Sequence, residues 1–423
     1  MPAAITPPLT FAPLRDTKVF TAWQLGRLPL AHRIVQAPCT RMRAEKVERG
    51  VFVPVDRHVT YYQQRASAGG LQITEALDIC LDASAYPGVP GVFTDAQLAG
   101  WKKVTDAVHA KGGFMVAQLW HTGRATGPGM LSGNGVRAMS STEKPMKGTY
   151  LDGMDCATNP PRAMTVDEIH CLTKEWAAAA KRAVEVAGFD AVEIHGANGY
   201  LLEQFLHDNI NDRTDAYGGS VENRCRFALE VVEAVADAIG AERTGVRLSP
   251  YNYFQDTKDS NPNEHWAYLC ERLATLPEAH RPVYVHMVEP RFDEILDEQK
   301  KMAALAEYTA QPVNSLTPFR NILAKGGIQF LAAGGFNRDN MLPKLDTGLA
   351  DAVVMGRFFI ANPDLVARLR NGWPLNAYDR ATFYGASPPE KGYTDYPAYA
   401  VDAVKVVGGT ESSAVETVVA AAV

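Results

Sequence analysis

No apolar run in this 423-residue chain approaches the roughly 20 residues needed to cross a bilayer. The opening MPAAITPPLTFAPL also lacks the basic-then-apolar order of a secretory signal. The six cysteines, Cys39, Cys80, Cys156, Cys171, Cys225 and Cys270, include no CxxC pair and are too few to staple a chain of this size. Free thiols in a soluble, cytoplasmic protein are therefore expected. Neither sign of charge dominates: 42 Lys and Arg stand against 48 Asp and Glu, interspersed, for a net charge of −6. A nucleic-acid or membrane-surface partner is not expected. There is no Walker loop, no GxSxG elbow and no HExxH or HxH cluster, and no metal is expected. The GxGxxA match at Gly133 to Ala138 has no strand before it, so a doubly wound dinucleotide fold lacks its phosphate turn.

What the chain does contain is a rhythm. Hydrophobic residues at 46% and charged residues at 21% are those of an ordinary globular protein. Short β-branched runs alternate with stretches of helical period, the pattern of βα units around a parallel sheet. Eight strands are predicted: Arg33 to Thr40, Leu71 to Ile79, Phe114 to Trp120, Ala191 to Ala197, Thr244 to Pro250, Val283 to Glu289, Ile328 to Gly335 and Ala352 to Arg357. The clearest helices are predicted over Asp95 to Lys111, Thr165 to Val186 and Asn223 to Ile239, the second with Thr165 as N-cap, Glu168 three residues on and Gly188 closing it. Length alone would allow about two or three domains, but a barrel can use the whole chain. The expectation is an α/β protein with a single (β/α)8 TIM barrel spanning residues 1–423. A lid-like insertion after the third strand, His121 to Met164, and a peripheral tail over residues 408–423 complete it.

Chemistry in such a barrel gathers at the C-terminal ends of the strands. Thr40, Glu75, Gln118, His121, His195, Asn198, Arg247, His286, Glu289 and Arg357 fall there. No lysine does, which weakens a Schiff-base aldolase. In AVEIHGANGYLLEQFL, His195, Asn198 and Tyr200 follow one another as a strand ends. If the segment turns helically after His195, residues i and i+3 share a face, and His195 and Asn198 can both donate to one carbonyl oxygen. Tyr200, with a reference pKa of about 10, then serves as proton donor. The same triplet also fits a satisfied core histidine beside a loop cap. Arg247 and Arg357 end apolar strands, where a guanidinium needs an anion or a polar partner; ion pairs with Glu75 or Glu289 are the structural alternative. Paired glycines in AAGGF let backbone N–H groups approach a phosphate.

Over roughly Leu14 to Tyr399 the chain resembles the Old Yellow Enzyme family of FMN-dependent ene-reductases. The matching stretches are APCTRMRA, VAQLWHTGR, FDAVEIHGANGYLLEQFLHD, NDRTDAYGGSVENRCRF, VRLSPY, AAGGF, MGRFFIANPDLVARL and YDRATFYG. The resemblance implies FMN bound non-covalently across the barrel mouth. Pro38, Cys39, Thr40 and Ala76 would lie along the flavin, Gln118 and Arg247 on the polar groups of its ring, and Gly334, Gly335, Gly356 and Arg357 around the ribityl phosphate. His195 and Asn198 would anchor the substrate oxygen, Tyr200 would donate the proton, and Trp120 and Tyr384 would line the channel. NADPH is the implied reductant and an enone or enal the partner, with both using one pocket and the chain a monomer or homodimer. One shared pocket also accounts for the missing dinucleotide fingerprint.

The sequence departs from the yeast-type pattern in places. Cys39 takes a usually aliphatic position, Ala76 replaces a common glycine, and Gly335 and Gln255 stand where asparagine is common; the loop from Asp293 to Thr317 is divergent. These changes bear on substrate size and affinity. A redox-neutral flavin-dependent isomerase of a secondary-metabolite enal is the alternative reading, and Tyr200 favours reduction over it. A flavin-free lyase or binding protein would leave Arg247 and Arg357 without a partner.

Overall fold

Each of the eight predicted strands is present, β3 with its predicted bounds and the others shorter, the first by five residues: β1 Ile34–Gln36, β2 Leu71–Asp78, β3 Phe114–Trp120, β4 Ala191–Gly196, β5 Thr244–Leu248, β6 Tyr284–Val288, β7 Gln329–Ala333 and β8 Ala352–Met355. In the computed structural model, which describes residues 12–83, 86–127, 137–292 and 315–400 with positions 300 and 303, these strands pair in parallel and close into a barrel through β8 and β1. Every residue of β2, β4, β5, β6 and β8 is buried, because one face fills the barrel and the other meets helices. This two-sided burial is why the runs read as continuous rather than alternating.

The helices that follow the strands are α1 Asp56–Arg65, α2 Asp95–His109, α3 Val166–Glu185, α4 Val221–Ile239, α5 Pro262–Thr275, α6 Thr317–Lys325, α7 Met341–Asp346 and α8 Leu365–Asn371. Thr165 caps α3 and exchanges hydrogen bonds with Glu168, as the sequence predicts; Thr94 and Gln97 do the same for α2. The third helix starts at Val221, two residues before its predicted start, because Ser220 accepts the Asn223 N–H.

Two apolar layers hold the barrel. One lies between strands and helices around Trp101, Trp176, Phe227 and Trp266. The other fills the lower interior, where the N-terminal hairpin Trp23–Leu25 and Leu28–Leu30 packs Leu25, Leu28 and Leu30 against Val35, Ile73, Val116 and Leu331. That end of the barrel is filled by the packed side chains of the hairpin and strands.

The excursion after β3 carries a short parallel pair, Met139–Ser140 with Arg162–Ala163. It is fastened to the chain beyond β4: Ser140 Oγ donates to Gln204 Oε1 at 2.9 Å, Ser141 Oγ to Gln204 O at 2.8 Å and Thr142 Oγ1 to Ile210 O at 2.9 Å. Most of the GxGxxA match, most of the divergent loop 293–317 and the tail 408–423 lie outside the described residues.

Candidate active site

Glu193 and His195 sit two apart on β4 and therefore share its inner face. Glu193, fully buried, accepts from Gln118 Nε2 at 2.7 Å and from the Tyr284 hydroxyl at 3.1 Å, and pairs with His286 Nδ1 at 2.9 Å. Gly245 lies in register between Glu193 and Tyr284, and a Cβ there would stand 2.2 Å from Tyr284 Cζ. The missing side chain lets the tyrosine reach across the barrel. Burial favours the neutral acid, but His286 and Arg247 nearby outweigh it and hold the Glu193 carboxyl below its usual range. The barrel interior thus has an anionic floor below the mouth.

Above it, His195 is in register with Arg247 of β5, which is in register with His286 of β6. Burial, reinforced by the Arg247 charge, lowers the His195 pKa well below its ordinary value, so the ring is neutral. Its neighbours are aromatic: the Trp120 ring centroid is 6.2 Å away, near parallel, and the Tyr200 ring 5.2 Å away, edge-on. Trp120 is fixed by Nε1 donating to Asp78 Oδ1 at 2.7 Å, and Tyr200 stands 4.7 Å from it in a T-shaped contact. Tyr86 joins this group, hydrogen-bonding Tyr200 and donating to Ala125 O at 3.1 Å; burial pushes its phenol up to about 12. Ala76 packs against Trp120 on the same cluster. Tyr384, 61% exposed, lies at the rim within electrostatic range of Tyr86.

The helical turn considered for residues after His195 is not formed. Ala197 to Tyr200 close a reverse turn, with Tyr200 N–H donating to Ala197 O at 3.3 Å and Asn198 at φ +57 and Gly199 at φ +76 in the left-handed region. Asparagine tolerates that region better than most residues. Asn198 therefore stands on a reverse turn at the end of β4 rather than on a helix face, half-buried between His195 and Tyr200 in sequence. The helix begins only at Leu201. Gln255, also left-handed at φ +61, lies against this turn, 2.9 Å from where a Gly199 Cβ would be.

Among the described residues Arg247 forms no ion pair with Glu75 or Glu289. Glu75 accepts the Arg41 N–H at 3.2 Å, and Glu289 pairs with Lys344 at 2.6 Å. Arg247 has a buried Nε without a hydrogen-bond partner among the described residues. Gln118 spends an amide N–H on Glu193, and none of the described hydrogen bonds uses its carbonyl oxygen. On the far side, Gly334 and Gly335 follow β7 at φ +119 and +66, and a Cβ on Gly334 would meet Glu289 Cβ at 2.8 Å. Gly356 and Arg357 follow the adjacent strand β8; a Cβ on Gly356 would meet Cys39 Sγ at 3.1 Å, bringing Pro38, Cys39 and Thr40 beside it. The Cys39 thiol is pushed up by burial, against the pull of Arg41, Arg247 and Arg357, so it is not an activated nucleophile. The Arg357 guanidinium lies 5.1 Å over the Phe292 ring. A mouth that offers an unmatched guanidinium, a free amide oxygen, and glycines beside a second arginine fits a planar polar ring with an anionic tail. FMN has that chemistry.

Glu193 and Tyr86 were not singled out from the sequence. Glu193 could have been found, since its two-residue spacing from His195 places both on one strand face. Tyr86 sits in a loop, where no periodicity marks it.

A parallel barrel with this mouth defines a flavin-type oxidoreductase scaffold, and the comparisons agree. Residues 18–376 match the NADH:flavin oxidoreductase / NADH oxidase family. The chain is 60% identical over 379 residues to flavin oxidoreductase hxnT of Emericella nidulans, covering 90% of this chain and 97% of that one. It is 44% identical over 379 residues to 12-oxophytodienoate reductase 1 of Oryza sativa subsp. japonica, covering 90% and 92%. Among solved structures it resembles morphinone reductase in complex with tetrahydroNAD, with a TM-score of 0.76, 38% identity and coverage of 91% and 99%. The chain belongs to the NADH:flavin oxidoreductase / NADH oxidase family, the Old Yellow Enzymes, whose cofactor is FMN.

Proposed function

We propose that this protein reduces the activated C=C bond of an α,β-unsaturated carbonyl compound with NADPH, by a ping-pong sequence in one pocket. The observation that carries the reading is the cluster of neutral His195, Tyr200 and Trp120 at the C-terminal ends of β3 and β4. Two relatives named as reductases, of 12-oxophytodienoate and of morphinone, support the same class of chemistry. When bound, FMN supplies the hydride that NADPH provides and the alkene β-carbon receives.

The residues of the chain do the rest. His195 and Asn198 donate hydrogen bonds to the carbonyl oxygen and draw charge from the conjugated bond. A neutral imidazole suits this role, because it donates without placing a full positive charge in the pocket. Tyr200 gives its proton to the α-carbon, with Tyr86 hydrogen-bonded behind it. Trp120 and Tyr384 line the channel, the first buried and fixed, the second exposed at the rim. Gln118, Arg247, Thr40, Cys39, Pro38 and the Ala76 backbone hold the flavin ring, and Gly334, Gly335, Gly356 and Arg357 hold its phosphate. The substrate is a small enone or enal, and the setting is cytoplasmic.

The purified protein should be yellow, bleach on anaerobic addition of NADPH and recover its colour on addition of a cyclic enone. NADH in place of NADPH tests the preferred reductant. A flavin that bleaches but is reoxidised by no enone would refute the reductase reading in favour of the redox-neutral isomerase. A protein unable to take up FMN would overturn the site assignments.

A further inference from the structure

The turn that carries Asn198 and Tyr200 has an unusual support. Two successive residues, Asn198 and Gly199, are left-handed, and a non-glycine residue in that region is strained unless its surroundings fix it. Here the fixing group is a carboxylate. Glu203, fully buried on the short helix Leu201–Leu206, accepts the Gly199 N–H through Oε2 and the Ser249 hydroxyl through Oε1 at 2.6 Å. The Ser249 oxygen in turn accepts the Asn198 N–H at 2.8 Å, and Asn252 Nδ2 donates to Glu203 Oε2 at 3.3 Å. The next residue, Gln204, takes the other side of the turn, donating from Nε2 to Gly199 O at 2.7 Å. Both backbone N–H groups of the left-handed pair thus end, directly or through one hydroxyl, on a single carboxyl group.

That carboxyl group continues into a line of buried titratable side chains that the chemistry at the mouth does not use. His207, one helical turn on, places Nε2 3.2 Å from Glu203 Oε1 and Nδ1 3.9 Å from Asp259 Oδ2. Asp259 is hydrogen-bonded by His265 Nδ1, and Trp266 packs on both histidine rings. Burial opposes the charge on His207, but Glu203 and Asp259 outweigh it and raise its pKa. A buried carboxylate is costly unless paired and hydrogen-bonded, and Glu203 has the Gly199 N–H, the Ser249 hydroxyl and the Asn252 amide as donors and His207 as its ion-pair partner.

We propose that Glu203 is the positioning residue of the carbonyl anchor: it clamps the left-handed Asn198–Gly199 turn, and His207, backed by Asp259 and His265, supplies its countercharge. The inference rests on the reading of His195 and Asn198 as that anchor. It assigns Glu203 no contact with substrate or cofactor. Its effect on the carbonyl anchor reaches the pocket through where Asn198 stands.

The test is the affinity of the FMN-loaded protein for phenol, whose oxygen takes the carbonyl's place, read from the long-wavelength band that phenol raises on the flavin. Glu203→Gln keeps the size of the side chain but removes the charge and turns an N–H toward donors. It should weaken phenol binding about tenfold, the order of one buried hydrogen bond lost, with flavin content unchanged. In an Asn198→Ala background the same substitution should cost little more, because both changes act through one side chain. A general loosening of the fold would instead add to the Asn198→Ala loss in full, and that result would overturn the proposal, as would wild-type affinity in Glu203→Gln. Should Glu203→Gln fail to fold, Ser249→Ala decides in its place: it removes the hydroxyl that joins Glu203 to the Asn198 N–H and leaves the Gly199 N–H on the carboxyl group, and unchanged phenol binding would refute the clamp. If replacing His195 and Asn198 together leaves phenol binding intact, the anchor reading fails and the proposal falls with it. If that double variant loses phenol while Glu203→Gln and Ser249→Ala do not, the anchor stands and the clamp alone is refuted.

Discussion

Glu75 should act as a neutral-pH switch of stability. It is buried to 1% exposure within β2, and its carboxyl group accepts the N–H groups of Arg41 and Met42, just beyond Thr40. Burial raises its pKa to about 7 from the ordinary 4.5, against the pull of those N–H groups and of the Arg41 and Arg43 charges. His58 Nε2 stands 3.9 Å away but gives no countercharge, since its own burial lowers its pKa to about 3. The sign follows from proton binding. Between about pH 4.5 and 7 the folded protein holds a proton on Glu75 that the unfolded chain has released, so stability from this group falls as pH rises through that window. A displacement of this size corresponds to ~3 kcal/mol. For a chain of 423 residues, whose unfolding entropy is roughly 0.9 kcal/mol/K, that is ~3 °C in the unfolding midpoint.

Glu75→Gln removes the titration while keeping an amide oxygen for the Arg41 and Met42 N–H groups. Calorimetry of both proteins at pH 5 and pH 8, at one scan rate, isolates the term, because every other titrating group contributes equally to both. The midpoint of the variant relative to wild type should rise by ~3 °C from the acid to the alkaline condition, whatever fixed offset the amide introduces. A difference that stays constant would show that Glu75 ionises at an ordinary pKa in the fold, and one that moves the other way that its pKa is depressed; either would refute the reasoning.

Tyr200→Phe keeps both ring contacts, with Trp120 and with His195, and should fold normally. Stopped-flow measurement should find alkene reduction slower by about 10²- to 10⁴-fold and flavin reduction by NADPH nearly unchanged; equal losses in both would contradict the donor role. Arg247→Met should have unequal effects in two assays, since the guanidinium carries an unpartnered buried Nε. Loss of the Glu193 attraction and relief of the buried Nε oppose each other, so apoprotein stability should change little, while FMN affinity measured by fluorescence titration falls by at least tenfold. Loss of apoprotein stability with FMN affinity intact would mean that Arg247 has a structural partner. Gly334→Ala places a Cβ 2.8 Å from Glu289 Cβ at φ +119, and should weaken FMN binding and lower the midpoint, by ~1–3 kcal/mol of strain. A fully loaded variant with a wild-type midpoint would show that the turn has room to spare.

Much of this architecture is dictated locally and could be read from the chain. The βα rhythm, the Thr165 and Glu168 capping box and the strand-end positions of Gln118, His195 and Arg247 follow from side-chain periodicity and backbone hydrogen-bonding needs. The matching stretches from APCTRMRA to YDRATFYG were likewise legible as a family resemblance, and the match over residues 18–376 agrees with it. What the sequence left open was decided by contacts between distant segments. No local rule says that Asn198 takes a left-handed conformation instead of the first turn of a helix; Ser249 and Glu203, from other elements, satisfy its turn. No spacing reveals that Gly245 leaves the gap through which Tyr284 reaches Glu193, or that Glu75 and Glu289 take Arg41, Arg43 and Lys344 as their neighbours and leave the Arg247 Nε without a hydrogen bond among the described residues. Periodicity fixes which face a residue occupies. Which charges meet across a closed barrel depends on its register and closure, and those exist only once all eight strands are in place.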